Sequence, residues 1–282
     1  MANSVSILGC GWLGLPVAVE LLKKGLIVRG STTTEEKLDI LIQRGIEAFS
    51  VVVEDHEVKG NLEKFLQSEI LILNFPPERR PDIEEYFKAQ LNQLLTHIRK
   101  YGKVKHILFI SSTSVYPDVN REVYEDDQLE PVKGSGKALL EAEQILLSQV
   151  DFSATILRLA GLIGYDRAPG RFLAGKQNIE NGEAPVNLIH QDDCVALITG
   201  IIEKGIWGEI FNGCSEVHPS RKEYYTKAAA SIGLPSPTFA DQDHFNFKII
   251  NSDKIRKRLN YNFKYPDPLK LINQLKDKSG LF

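Results

Sequence analysis

Short apolar runs alternate with stretches of helical periodicity along most of the chain. Val5, Ile7 and Leu8 end a run that predicts a buried strand, residues 17–25 predict a helix closed by glycine, and residues 26–29 predict a second strand. The alternation then repeats. Helices are predicted over 35–44, 62–67, 83–99 and 134–147, and strands over 46–53, 70–73, 105–110 and 152–159. The run Ile70-Leu71-Ile72-Leu73 is apolar at every position, as parallel strands covered on both faces are. The pattern predicts an α/β fold: a Rossmann-like doubly wound, mostly parallel sheet.

Farther along, the elements shorten. A strand over 185–190 leads into a helix over 194–203, for which Asp192 and Asp193 are placed as caps. Strands follow at 210–211 and 247–250, with a helix over 220–231 opened by Ser220, a helix over 254–259 capped by residues 251–253, and a final amphipathic helix over 269–275. The polar, acidic segment 118–131 reads as a surface excursion over the site. The expected organisation is a dinucleotide-binding core over 1–165 and a mixed region over 166–282 that completes the core and forms a smaller substrate cap.

Composition narrows the class. A chain of 282 residues, 43% hydrophobic and 25% charged, can bury a sizeable core as an ordinary soluble protein. With 34 Lys plus Arg against 37 Asp plus Glu, the formal charge of −3 gives no basic field for a nucleic-acid partner. Cys10, Cys194 and Cys214 are scattered, which suits a reducing cytoplasm and makes neither a disulfide framework nor a metal site. No apolar run approaches the roughly 20 residues that a membrane span needs.

Candidate chemistry begins at the first turn. Gly9, Gly11 and Gly14, with Trp12 and Leu13 between them, have the spacing of a dinucleotide-binding turn. Gly9 permits the tight turn, Gly11 lets a pyrophosphate approach the backbone, and Gly14 lets the helix sit close. The second strand ends in Arg29-Gly30-Ser31-Thr32-Thr33-Thr34 without an acid to bind an adenosine ribose, so Arg29, Ser31 and Thr32 favour NADP, with NAD the alternative. Glu54 and Asp55 follow the third strand, where an adenine amino group or plain solvent would meet them. Asn74, Phe75 and Pro76 are expected beside the cofactor backbone, and Arg79 and Arg80 near the same mouth. Ser111 to Tyr116 place hydroxyls at the carboxyl end of a buried strand, where open α/β sheets carry ligands. Lys137 stands near a helix N-terminus, electrostatically disfavoured unless something such as a nicotinamide ribose compensates. Ala160 and Gly161 carry the next strand toward the site, and His190 reads as a structural hydrogen-bonding residue.

Taken together, Gly9-x-Gly11-x-x-Gly14, Ser111-Ser112-Thr113-Ser114-Val115-Tyr116, Arg158-Leu159-Ala160-Gly161-Leu162-Ile163-Gly164 and Asn187-Leu188-Ile189-His190-Gln191-Asp192-Asp193 make the chain resemble the extended short-chain dehydrogenase/reductase superfamily, especially its sugar-nucleotide epimerase/dehydratase-like members. That resemblance implies hydride-transfer chemistry using a Ser or Thr, a Tyr, and a Lys four residues after the Tyr. Ser112 matches the hydroxyl position and Lys137 the lysine. The tyrosine position holds Lys133. Helices like those over 83–99 and 134–147 form a dimer face in this superfamily, so a homodimer is compatible with the sequence.

Three accounts follow from this departure. In the first, the protein is an atypical NAD(P)-dependent reductase, epimerase or dehydratase acting on a small polar, nucleotide-linked substrate. Ser112 polarises a carbonyl or hydroxyl, Lys137 holds the nicotinamide ribose, and Tyr116, Tyr124 or Lys133 exchanges the proton. In the second, it binds the cofactor as a sensor or interaction module without turnover. In the third, it is a homologue with a vacant groove, the reading that the kept glycines and lysine most oppose.

Overall fold

The computed structural model describes residues 3–242 and 244–274, the side chains at 273 and 274 excepted. In chain order the first half comprises β1 (Ser4–Leu8), α1 (Gly14–Lys23), β2 (Ile27–Thr32), α2 (Leu38–Gln43), β3 (Glu47–Val53), β4 (Val58–Gly60), α3 (Leu62–Phe65), β5 (Ile70–Leu73), α4 (Ile83–Tyr101) and β6 (His106–Ser112). The middle adds β7 (Arg121–Val123), α5 (Gly134–Leu147), β8 (Ser153–Leu159), β9 (Gly161–Ile163), α6 (Gly170–Leu173), β10 (Leu188–His190) and α7 (Gln191–Lys204). The chain continues through β11 (Ile210–Gly213), α8 (Arg221–Ser231), β12 (Lys248–Ile250), α9 (Asp253–Leu259) and α10 (Pro268–Gln274).

Eight strands form one sheet in the order β11-β8-β6-β5-β1-β2-β3-β4. β1 pairs in parallel with β2 on one side and with β5 on the other. The chain therefore winds outward from β1 through β2 and β3, then resumes on the opposite side with β5 and β6. Reversal of winding between β1 and β5 opens a crevice beyond their carboxyl ends, the place where doubly wound sheets take ligands. Val5, Ile7, Leu71, Ile72 and Leu108 are at most 1% exposed, and α4 buries Phe87, Leu91, Leu94 and Leu95 at helical spacing. Each such side chain contributes about 1.5–3 kcal/mol by leaving water.

The expected α/β class is the observed one, with local differences. The helix expected over 35–44 is a 3₁₀ turn, Glu35–Lys37, followed by α2. β2 continues to Thr32 instead of ending at residue 29, and α1 starts at Gly14. β4 pairs antiparallel with β3, and the excursion over 118–131 contains β7, which pairs in parallel with β12. α10 covers the expected last helix up to Gln274, and Leu275 lies outside the described residues. No described helix is long and apolar enough to cross a membrane.

Two compact units emerge. The first takes the chain up to Val115 together with Leu129–Arg158 and Val195–Phe211, and the second takes Tyr116–Gln128, Leu159–Cys194 and the chain from Asn212 onward. The second unit has its own core, in which Ile163, Val186, Leu188, Tyr224, Ala228, Leu271 and Ile272 pack together.

Candidate functional site

The turn after β1 is built by its own backbone. Gly9 has a φ of 100°, in the left-handed region that glycine adopts freely, and a Cβ there would overlap the Asn74 carbonyl oxygen. A Cβ on Gly14 would overlap the Gly9 carbonyl. Gly11 differs. It is exposed, and a Cβ on it would meet nothing within 4 Å. α1, with Leu13 at its N-cap, begins without a side-chain cap and without an acid in its first turn, so its positive dipole end remains for a ligand although Leu15 N donates to the Gly11 carbonyl at 3.0 Å and Pro16 has no N–H. An open glycine beside the positive end of a helix without a side-chain cap fits a dinucleotide's pyrophosphate.

Two residues expected to bind the cofactor, Ser31 and Asn74, brace this turn. Ser31 Oγ accepts from Gly9 N at 3.1 Å, and its carbonyl accepts from Cys10 N at 2.7 Å. Asn74 Nδ2 donates to Gly9 O at 2.8 Å, while Asn74 N donates to Leu8 O. Cys10 is 4% exposed, and burial pushes its thiol up to about 12, so it fills space and is inert. Trp12 is half-buried, Pro76 is exposed, and Phe75 packs on Phe87 with ring centroids 5.1 Å apart.

Arg29 is placed differently from expectation. Because β2 runs on to Thr32, Arg29 stands in mid-strand, where it pairs with Glu47 at 2.9 Å and donates to Ser68 Oγ at 2.9 Å. Strand geometry sets it about 10 Å short of the carboxyl edge. β2 ends at Thr32, whose Oγ1 accepts from Thr34 N at 3.1 Å, and Thr33 just after the strand is exposed. Glu54 and Asp55 lie in the β3–β4 hairpin beside His56 and Lys59. Arg80 is held by Asp82 at 2.6 Å and lies over the Tyr86 ring, while Arg79 is exposed.

The serine turn follows β6. Ser111 is 5% exposed and donates its proton to Glu143 Oε1 at 2.5 Å, so only its lone pairs remain for another contact. Ser112 is half-buried, and its Oγ accepts from Ser114 N at 3.1 Å, leaving its proton for an outside acceptor. α5 packs closely on this turn, because a Cβ on Gly136 would overlap the Ser114 carbonyl. Gly136 did not stand out in the sequence. Its neighbour Lys137 is exposed on the first turn of α5, and Lys133 is the exposed residue at that helix's N-cap. The first unit thus brings together Ser112, Lys133 and Lys137 on two adjoining turns.

The remaining candidates belong to the second unit. Tyr116 is 3% exposed and donates to Asn212 Oδ1 at 2.9 Å, while Asn212 Nδ2 donates to the Asn251 carbonyl and its backbone N to Glu125. This network commits the Tyr116 hydroxyl to structure. Tyr124 is exposed, and its hydroxyl donates to Glu122 at 2.7 Å. Ala160 N donates to Gly213 O and Gly161 N to Asn187 O. His190 is fully buried, and its Nδ1 accepts from Asp192 N at 3.1 Å, the structural role expected of it.

Asp192 and Asp193 do not cap α7. They lie within its first turn, and their carboxylates hold the segment around Lys264 instead. Asp192 accepts from Lys264 Nζ at 2.6 Å and from the Tyr165 hydroxyl at 2.8 Å. Asp193 accepts from the Tyr261 hydroxyl at 2.7 Å and from the backbone N–H groups of Lys264 and Tyr265. Two adjacent acids therefore strap one loop to one helix end.

A sheet wound in opposite directions from β1, with a glycine turn at the reversal, defines the class of Rossmann dinucleotide-binding proteins. Within that class the chain belongs to the NAD dependent epimerase/dehydratase family, whose model matches residues 7–213. Protein YeeZ of Escherichia coli K12 is 35% identical over 270 residues, covering 95% of this chain and 98% of that protein. The UDP-N-acetylglucosamine 4-epimerase of Bacillus cereus shares the fold with a TM-score of 0.78 at 16% identity, over 99% of this chain and 97% of its own. MoeE5, solved in complex with UDP-glucose and NAD, aligns with a TM-score of 0.77 at 17% identity, over 98% of this chain and 99% of its own.

Proposed function

We propose that the protein is an NAD(P)-dependent oxidoreductase of the epimerase/dehydratase type, acting on a hydroxyl or carbonyl of a small, nucleotide-linked substrate. The observation that carries this reading is Gly136 seated on the Ser114 carbonyl, which sets the free Ser112 proton beside the helix turn bearing Lys133 and Lys137. A bound nicotinamide dinucleotide supplies hydride chemistry. Ser112 donates to the substrate oxygen, and Lys137 donates to ribose hydroxyls. With Tyr116 committed to Asn212 and Tyr124 to Glu122, Lys133 exchanges the proton. The substrate class rests on the UDP-sugar relatives named above.

NADP is the preferred cofactor in this reading, but for a reason other than Arg29. Just beyond β2 the exposed Thr33 hydroxyl meets a 2′-phosphate before any carboxylate, the first acids being Glu35 and Glu36 on the following helical turn. A second reading, cofactor binding without turnover, is favoured by Lys133 itself, because an ammonium stands where the resembling enzymes carry a phenol. The test is fluorescence titration with NADPH and NADH, followed by a turnover panel of UDP-sugars, for wild type, Lys137→Ala, Thr33→Asp and Lys133→Tyr. We expect tighter NADPH binding in wild type, a preference shifted toward NADH in Thr33→Asp, weaker binding in Lys137→Ala, and faster turnover in Lys133→Tyr. Uptake of neither dinucleotide defeats the proposal. Binding with no turnover by either wild type or Lys133→Tyr favours the second reading.

A further inference from the structure

Beneath the serine turn, the first unit buries an ion pair. Glu143 of α5 and Arg158 of β8 have side chains 1% and 6% exposed. Arg158 Nη2 donates to Glu143 Oε2 at 2.6 Å, and Nε lies 3.0 Å from Oε2 and 3.2 Å from Oε1. Ser111 Oγ completes the group by donating to Oε1. One carboxylate thus ties together the end of β6, the middle of α5 and β8.

Such a pair is a poor way to gain stability, because desolvation offsets most of the attraction and apolar side chains of similar volume serve as well. Its directional bonds do something apolar packing does not: a slide of one residue along α5 would break the fork. Ser111 is covalently joined to Ser112, and Glu143 rides on the same helix as Lys137. A second fixed point lies at Gly136 on the Ser114 carbonyl, seven residues and about 10 Å along α5 from Glu143. Two fixed points prevent α5 from sliding or turning against the serine loop.

We propose that Ser111, Glu143 and Arg158 are positioning residues, a register pin that sets Lys137 against the nicotinamide ribose while Ser112 on the adjoining turn faces the substrate oxygen. The inference rests on the dinucleotide reading above. It is tested by a double-mutant cycle on NADPH affinity using Glu143→Gln and Lys137→Ala, with Ser111→Ala as a milder variant and Glu143→Leu with Arg158→Met as an apolar replacement. Thermal midpoints are recorded for each. Glu143→Gln should weaken NADPH binding about tenfold in wild type and scarcely at all in the Lys137→Ala background, since coupled residues are not additive. Ser111→Ala should weaken it less but with the same dependence on Lys137. The apolar pair should keep the wild-type thermal midpoint and still bind weakly. If wild type takes up neither dinucleotide, both readings fall. If wild type binds, while the cycle is additive or the apolar pair binds as well as wild type, the pin alone is overturned.

Discussion

Gly11 and Gly14 look equivalent as letters in a pattern, yet their surroundings give them different duties. Gly14 is required by packing against the Gly9 carbonyl, whereas Gly11 borders open space. Gly14→Ala should therefore cost about 1–3 kcal/mol, as overpacked sites do, while Gly11→Ala should leave stability within about 0.5 kcal/mol and reduce dinucleotide binding. Urea unfolding and NADPH titration read the two effects separately, and equal destabilisation by both substitutions would contradict the assignment. Asp192 gives a second residue-scale test. Burial raises its carboxyl, but the Lys264 and Tyr165 bonds outweigh burial and hold it below its ordinary value. Its contribution is complete above the unfolded value of about 3.9 and is lost as pH falls through the lower folded value. Lys264, raised chiefly by its bond to Asp192, contributes below about 10.4 and loses that contribution as pH rises through its folded value. Asp192→Asn should flatten the acid loss of stability below about pH 4, measured as urea midpoint against pH. Parallel acid curves for wild type and variant would exclude the pairing. Glu143 was legible in principle: an acid four residues after Leu139 and three before Leu146 falls on the buried face of α5, which demands a buried cation such as Arg158.

Long elements announced themselves, and only some of the short ones did. α5 spans the residues its periodicity predicts, because its apolar positions repeat over several turns. β7 and β9 have three residues each, too few for an alternation to register, whereas β12, equally short, falls within the strand expected over 247–250. Their stability comes from partners distant in sequence. Asn187 illustrates this, since its Nδ2 donates to the Lys248 carbonyl at 2.9 Å and its Oδ1 accepts from Ile250 N at 2.9 Å, pairing with the edge of β12 as a neighbouring strand would. Asn187→Ala leaves both backbone groups without that partner and should cost about 1–3 kcal/mol, measured by denaturant unfolding with cofactor absent. A loss under about 0.5 kcal/mol, the size of an ordinary surface change, would show that water replaces the amide.

At the scale of the whole molecule, the first unit is assembled from separated stretches of chain. Val195–Phe211 belongs to it although it follows residue 165, and it supplies most of α7 and the start of β11. Glu209 O accepts from Ile156 N at 2.9 Å, and Ile206 O accepts from Thr155 Oγ1 at 3.0 Å, so this stretch covers β8. A polypeptide ending at residue 165 would expose that edge and should show no cooperative thermal transition by circular dichroism. A sharp transition near that of the full chain would mean that the later stretch is dispensable. The sequence by itself determined the alternation of strand and helix, the glycine turn and the class of fold, because hydrophobic period and glycine spacing are local properties. Only the tertiary structure decided that Arg29 serves Glu47, that Tyr116 serves Asn212 and that Asp192 and Asp193 strap a distant loop. A side chain's partner depends on which remote backbone folds against it, and no local pattern encodes that.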